Sequence, residues 1–281
     1  MSAFYQVEGT RLAYTETGAG LPVVFLHPTP LDGYFWLPLA AQLKGVRALV
    51  PDLRGHGRSE LGRLAVGDFA AVPDAPVLSM ARLAADILAL LDHLSVKKAV
   101  FCGCSIGGYV LLEIWRRAPE RIAGLVFVCS KAQPDAAANA SRRTATIAQA
   151  RAGQRETLFD GMARTLTGSI AQARRPEIVA ELRARMTVSA ETLVAVQAGL
   201  ATRPNSVPTI ASITVPVLAV NGGEDSGCSA DEMRAFEAAP GGCSFHQISD
   251  AGHFAAYEQP ERVAGILDPW LDSLDGTVSP L

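Results

Sequence analysis

A serine lies at the centre of a Gly-x-Ser-x-Gly pattern in residues 103–107 of this chain. The segment 98–102 is short, apolar and β-branched, which predicts a buried strand, and apolar residues recur at helical spacing over 109–116. Ser105 is therefore predicted on a sharp strand-to-helix turn, where the glycines of the pattern and Gly108 remove steric clashes. A helix that begins behind Ser105 directs N–H groups and its positive dipole end at a developing oxyanion. A glycine-containing turn that holds a serine by chance is the alternative interpretation.

A serine hydroxyl is a weak nucleophile at neutral pH and needs a base within hydrogen-bonding reach. The chain has five histidines, and His253 follows the last predicted strand, 244–248, just before the final helix. This position predicts a base at the carboxyl edge of the sheet, with a surface loop histidine as the alternative. His27 lies beside Pro28 and is expected to shape its loop through hydrogen bonds. His56 lies in a Gly-His-Gly turn and is expected to be structural.

The base in turn needs an acid that orients its ring. The segment 220–225 follows a predicted strand and ends in Glu224 and Asp225. We predict Asp225 as the acid, because it occupies the later position of the loop, with Glu224 as the competitor. The alternative is an aspartate that caps a helix or a turn.

An oxyanion needs two N–H donors. Ile106 directly follows the serine and supplies one from the start of the helix. The second is expected from the loop after the predicted strand 23–26. Pro28 and Pro30 have no N–H, so Thr29 is the predicted donor. The alternative is a proline-stiffened turn without a catalytic part.

These residues require a scaffold of alternating strands and helices. Two short strand-like runs lie within residues 4–17, and later strands alternate with predicted helices, which indicates a parallel sheet with right-handed crossovers. These later strands are predicted at 23–26, 46–50, 98–102, 122–129, 215–220 and 244–248. A helix is predicted over 35–43, and a loop rich in Gly, Pro and Ala over 60–78. Ser79 is the predicted N-cap of the helix 80–94.

The alternation stops between residues 133 and 213. Helical stretches near 135–151, 154–167, 175–187 and 189–201 follow one another there without a strand. We predict a core domain of residues 1–132 and 214–281, with 133–213 inserted as a helical cap over the edge where open α/β sheets bind ligands. Candidate lining residues of a pocket beneath it are Tyr34, Trp36, Phe159, Met162, Leu166 and Met186. The alternative for each is packing alone.

Composition restricts the partners. The chain has 281 residues, 49% of them hydrophobic and 19% charged, with a net charge of −3. The sequence has no basic stripe, so it does not indicate binding to nucleic acid. It has no run of about 18 apolar residues, so it does not indicate a membrane span. Five cysteines, odd in number and without zinc spacing, are expected as free thiols. With no signal peptide recognised, we expect a cytoplasmic protein acting on a small molecule, with no metal or organic cofactor required.

Together these motifs resemble the α/β-hydrolase superfamily. The matching segments are 25–28, 52–59, 103–107, 223–225, 251–254 and 258–261. The resemblance implies an eight-stranded, mostly parallel sheet with helices on both faces and an inserted helical cap. It also implies Ser105, Asp225 and His253 as a catalytic triad in the superfamily's chain order. The overall sequence pattern is similar to that of the branch containing enol-lactonases, small esterases and cofactor-free peroxidase-like enzymes. The chain departs from the family at His27-Pro28, where His-Gly is usual.

The expected function is that of a serine hydrolase that cleaves a small, largely apolar ester or lactone through an acyl-enzyme. A nucleophilic aspartate, as in dehalogenases, is excluded by Ser105. Four alternatives stay open on the same residues: a perhydrolase, a hydrolase of carbon–carbon bonds, an amidase or aminopeptidase, and a non-catalytic binding protein. Neither the natural substrate nor the oligomeric state follows from the sequence.

Overall fold

A single sheet of eight strands organises the computed structural model, which describes residues 2–64 and 75–274. The strands are β1 (Ser2–Val7), β2 (Thr10–Gly18), β3 (Leu21–Leu26), β4 (Val46–Pro51), β5 (Ala99–Cys104), β6 (Ile122–Val128), β7 (Val217–Gly222) and β8 (Cys243–Ile248). Their spatial order is β1-β2-β4-β3-β5-β6-β7-β8. The pairs β1–β2 and β2–β4 are antiparallel and all others are parallel. The predicted fold class, an eight-stranded and mostly parallel α/β sheet, is confirmed.

The central strands are apolar throughout because both of their faces are covered. Every residue of β5 and β6 is buried, as expected for parallel strands between two layers of helices. One face of the sheet packs Val23, Phe25 and Val126 against residues such as Trp36 and Leu267. The other face packs residues such as Val24, Leu26, Phe101, Leu83 and Ile106.

Twelve helices accompany the strands in the described ranges. They are α1 (Leu37–Ala40), α2 (Met80–His93), α3 (Ile106–Arg117), α4 (Ala137–Arg151), α5 (Arg155–Leu166), α6 (Ser169–Arg174), α7 (Pro176–Ala184), α8 (Ala190–Ala201), α9 (Val207–Ile210), α10 (Ala230–Arg234), α11 (Ala255–Glu258) and α12 (Pro260–Asp272). Three short 3-10 turns add Gly33–Trp36, Pro119–Arg121 and Ala235–Ala238. Within the described ranges, none of these helices combines the length and apolar character needed to cross a membrane.

Two local predictions can be compared directly. Ser79 caps α2, since its Oγ accepts the Arg82 N–H at 3.1 Å, so the predicted N-cap is confirmed. The predicted helix 35–43 is too long. It begins as a 3-10 turn capped by Asp32, and the α-helical part ends at Ala40, before the chain turns at Gly45 with a φ of 62°. Of the predicted loop 60–78, residues 65–74 lie outside the described residues.

The helices α4 to α9 lie in sequence between β6 and β7, and residues 133–213 contain no strand. Four of them match the predicted helical stretches within a few residues. The short helix α6 was not predicted, because its six residues lie between Gly168 and Pro176 and carry no full period of apolar residues. The division of the chain into a core and a cap stays a prediction.

Candidate active site

Ser105 occupies a strained turn between β5 and α3. Its φ is 53° and its ψ is −117°, a conformation that costs a non-glycine residue on the order of 1–3 kcal/mol. Neighbouring groups hold the backbone in place. The Ser105 N–H donates to the Val128 carbonyl at 3.2 Å, and the Ser130 hydroxyl donates to the Ser105 carbonyl at 2.8 Å. The side chain itself lies in a partly exposed position.

The glycines around Ser105 permit the close approach of three backbone segments. A Cβ atom on Gly107 would lie 2.2 Å from the Leu26 carbonyl oxygen, at the end of β3. A Cβ atom on Gly103 would lie 2.5 Å from the Gly107 carbonyl carbon. Real side chains do not tolerate such distances, so the predicted reason for these glycines is confirmed.

His253 and Asp225 lie side by side at the carboxyl ends of β8 and β7. The Nδ1 atom of His253 is 2.9 Å from both carboxylate oxygens of Asp225. An ionised carboxylate only accepts, so Nδ1–H donates and the neutral ring keeps Nε2 as an unprotonated base. The Asp225 side chain is fully buried and that of His253 nearly so.

The carboxylate of Asp225 is fixed by its own loop. Its Oδ1 also accepts the N–H groups of Gly227 at 2.7 Å and Cys228 at 3.1 Å. The competitor, Glu224, points elsewhere and accepts hydrogen bonds from the backbone and the hydroxyl of Ser169. Of the two adjacent acids, the structure thus brings only Asp225 to His253.

The environment of His253 favours its cation. Burial disfavours the charged ring, but the Asp225 carboxylate outweighs this, so the pKa of His253 is raised above its ordinary value. Glu258 adds to the rise and Lys131 opposes it. A base with this environment can accept a proton from a nearby hydroxyl and stabilise the resulting imidazolium.

The two predicted oxyanion donors lie on adjacent parts of the fold. Ile106 is the first residue of α3, and Thr29 follows β3, the strand that pairs with β5. Among the described residues, no protein acceptor binds the backbone N–H of either one. The Thr29 hydroxyl lies 3.0 Å from Nε2 of His56, which holds that side chain against the turn after β4. The role of both N–H groups as an oxyanion hole stays a prediction.

Two buried histidines support this loop. His27 Nδ1–H donates to the Pro28 carbonyl at 3.1 Å, and its Nε2 accepts the Leu53 N–H at 2.9 Å. His56 Nδ1–H donates to the Arg54 carbonyl at 3.0 Å, so its Nε2 is the acceptor for Thr29. Burial lowers the pKa of His27 to about 4 and that of His56 to about 3. Both rings are therefore neutral connectors, as the sequence predicted in outline.

The candidate pocket residues fall into different environments. Trp36 and Phe159 are fully buried, and Met186 is nearly so. Met162 and Leu166 are partly buried against the same apolar cluster. Tyr34 is partly exposed, with the Arg185 guanidinium 3.2 Å from its ring centroid. A lining role for the six residues stays a prediction.

The structure also places groups near the site that the motifs did not identify. Ser130 binds the Ser105 backbone, and the thiols of Cys104 and Cys129 lie against the loop that carries His253. Glu258 binds the same loop from α11. Glu258 and Cys104 lie within the matched segments 258–261 and 103–107, but neither was singled out from the sequence, and Ser130 and Cys129 lie in no matched segment. Among the described residues, no group of three His, Cys, Asp or Glu side chains is placed to hold a metal ion.

Comparison with known families agrees with this geometry. The model of a family described as the alpha/beta hydrolase family matches residues 23–266. This chain belongs to that family. The match of this alpha/beta hydrolase extends from β3 through most of α12, and so includes Ser105, Asp225 and His253.

Three individual relatives span nearly the whole hydrolase. The structure of a thermophilic esterase from Thermogutta terrifontis has a TM-score of 0.87 and 29% identity, covering 98% of this chain and 99% of that one. An enol-lactonase from Burkholderia xenovorans has a TM-score of 0.84 and 23% identity over 96% and 100%, a likeness of fold. A Mycobacterium tuberculosis protein provisionally named a non-heme bromoperoxidase is 26% identical over 263 residues, 90% of this chain and 94% of that one.

Proposed function

We propose that this alpha/beta hydrolase cleaves a small, largely apolar carboxylic ester or lactone through an acyl-enzyme on Ser105. The observation that carries the proposal is the bond from His253 Nδ1 to the buried Asp225 carboxylate, at the same sheet edge as the strained turn of Ser105. The 29% identical esterase supports the reaction class.

In the proposed reaction, Ser105 Oγ attacks the carbonyl carbon while His253 Nε2 takes the hydroxyl proton. Asp225 holds the ring in the productive tautomer and stabilises the imidazolium. The N–H groups of Thr29 and Ile106 hold the oxyanion, and loss of one such donor typically costs about 2.7–4 kcal/mol of transition-state stabilisation. The imidazolium then protonates the leaving alcohol. Water, deprotonated by His253, attacks the acyl carbon and releases the acid with Ser105 restored.

The second candidate is a perhydrolase, and the relative named as a bromoperoxidase favours it. Hydrogen peroxide would replace water in the second half of the same reaction. Its oxygen would attack the acyl carbon, His253 would take the proton, and the peracid would leave as the bond to Ser105 breaks. The triad requirement is identical, so the two candidates differ only in the second nucleophile.

Initial rates on p-nitrophenyl esters from acetate to dodecanoate, and on a set of small lactones, test the first candidate. We expect turnover that is highest for short acyl chains and absent in Ser105→Ala. Peracid formation from acetate and peroxide, measured beside acetate ester hydrolysis, tests the second. Hydrolysis without peracid would exclude the perhydrolase, and turnover of neither class would contradict both.

A further inference from the structure

The loop that carries His253 is bound to neighbouring elements through the backbone N–H groups of Gly252 and His253. The Gly252 N–H donates to the carboxylate of Glu258, 3.1 Å from each oxygen. The His253 N–H donates to the Leu166 carbonyl at 2.8 Å, at the end of α5. The loop is therefore attached on one side to α11 and on the other to the inserted helices.

The carbonyl groups of the same two residues meet thiols. Cys129 Sγ is 3.7 Å from the Gly252 oxygen, and Cys104 Sγ is 3.6 Å from the His253 oxygen. Thiols are weak donors, so these contacts add little energy individually. The carboxylate is then the one charged group that binds the backbone of this loop among the described residues.

Glu258 also reaches the turn between α5 and α6. Its Oε2 accepts the Gly168 N–H at 2.9 Å while the same carboxylate accepts the Gly252 N–H. A Cβ atom on Gly168 would lie 2.7 Å from the Gly252 nitrogen, and one on Gly252 would lie 2.5 Å from the Gly168 nitrogen. The two glycines let the backbones touch, and Glu258 satisfies both N–H groups at that contact.

The carboxylate lies in an unusual position for a charge. Glu258 is 0% exposed, and it takes part in no ion pair among the described residues. Burial raises its pKa, while the N–H groups of Gly252 and Gly168 oppose the rise. Buried carboxylates without a cation are costly, so a purely structural bridge could have used a neutral side chain more cheaply.

We propose that Glu258 is a positioning residue for the base: it ties the His253 loop to the α5–α6 turn and sets the imidazole against Asp225. The proposal rests on the proposed function. Glu258 approaches His253 from α11, Asp225 from the loop after β7, Lys131 from the segment after β6 and Cys104 from β5. Arg175, at the start of α7, is the cation that acts on Glu258 at longer range.

Three variants separate the bridge from its charge. Glu258→Gln removes the charge and leaves one oxygen for two N–H groups. Glu258→Asp keeps the charge but is one methylene too short to reach both glycines. Glu261→Gln is the control, because it removes the same charge three residues away at an exposed site. The readouts are kcat and KM on the best ester and the pKa of the His253 ring followed by NMR.

For Glu258→Gln we expect kcat to fall about tenfold to a hundredfold with KM within about twofold, since a misplaced base affects the chemical step. The His253 pKa is expected to fall, because a nearby negative charge is lost. Glu258→Asp is expected to lose kcat while the His253 pKa stays near that of the wild-type protein. A Glu258→Gln variant that matches Glu261→Gln in kcat and in the His253 pKa would overturn the proposal.

Measurements on the wild-type protein keep the proposal testable if the variants do not fold. The amide protons of Gly168 and Gly252 are expected to shift together at the pH where Glu258 titrates, and the absence of a common step would overturn the bridge. The NMR readouts need no substrate. A wild-type protein that shows the common step but hydrolyses no ester would contradict the proposed function and leave the bridge standing.

Discussion

Gly107, in the first turn of α3, lies directly against the Leu26 carbonyl at the end of β3. A Cβ atom on Gly107 would be only 2.2 Å from the Leu26 carbonyl oxygen, so the contact requires glycine. This contact joins the turn of Ser105 to the strand that leads into Thr29. The two proposed oxyanion donors, Ile106 and Thr29, therefore depend on one backbone contact for their relative position.

Gly107→Ala tests this dependence. The new methyl group must displace α3 or β3, and overpacking of this kind typically costs about 1–3 kcal/mol in the free energy of unfolding. We expect that loss in urea unfolding, together with a fall in kcat of at least about tenfold. Gly265→Ala in α12 is the control, since its Cβ would meet nothing within 4 Å, and it is expected to stabilise by up to about 1 kcal/mol. A Gly107→Ala enzyme with wild-type kcat would refute the dependence.

Asp225→Asn tests the choice between the two adjacent acids. An amide at this position cannot hold Nδ1–H as the carboxylate does, so the ring adopts the wrong tautomer, and we expect kcat to fall by a factor on the order of 10⁴. Glu224→Gln, which loses only the contact with Ser169, is expected to stay within about threefold of wild type. The reverse ranking in ester hydrolysis would assign the acid to Glu224.

The pH dependence of kcat/KM follows from His253. The proposed base must be neutral to act, and its pKa is raised above 6.5 because Asp225 outweighs burial. We expect kcat/KM to rise with pH through an inflection above 6.5. In Asp225→Asn the residual activity is expected to inflect below the wild-type value, since burial then acts without the carboxylate. An identical inflection in both proteins would mean that the observed titration is not that of His253.

Stability in acid reports on His27 and His56, the two neutral histidines beside Thr29. Burial lowers the pKa of His27 to about 4 and that of His56 to about 3, whereas the unfolded chain titrates near 6.5. Between the folded and the unfolded pKa values, the unfolded state binds more protons than the folded state. The contribution of each neutral ring to the free energy of unfolding is therefore fully present above pH 6.5 and falls as the pH drops. Each ring contributes up to about 1.4 kcal/mol per pH unit.

His56→Gln removes one of these contributions. Urea unfolding at pH 7, 6 and 5 is expected to show a shallower loss of free energy in this variant than in wild type, by up to about 1.4 kcal/mol per pH unit. His246→Gln, at an exposed position of β8, is the control and is expected to keep the wild-type slope. Equal slopes in all three proteins would mean that His56 is not held neutral.

The fold was predictable because hydrophobic runs specify the central strands independently of their partners. β5, β6 and β7 each read as an apolar run bounded by turn residues, and their order along the chain implies parallel pairing. The predicted helix after Asp32 was too long, because 3-10 and α-helical turns bury apolar residues at similar spacing. Short helices such as α6 carry too few residues for a period to appear.

The turn of Ser105 and the pairing of Asp225 with His253 were predictable, because the proposed chemistry requires these residue types at strand ends. Their catalytic roles stay predictions. Groups that act through backbone contacts were missed. The sequence spacing of Cys104 and Ser130 does not predict these contacts. Both side chains bind main-chain carbonyls that only the folded chain brings near. Their partners are distant in sequence, and no local pattern encodes such distances.

Covalent labelling with a fluorophosphonate, followed by intact mass and peptide mapping, tests the central claim most directly. We predict a single adduct on Ser105, formed with the pH dependence of kcat/KM, slowed at least about a thousandfold in His253→Ala and absent in Ser105→Ala. Folded, ester-cleaving protein that takes up no adduct at Ser105, or that keeps its activity in Ser105→Ala, would contradict the account.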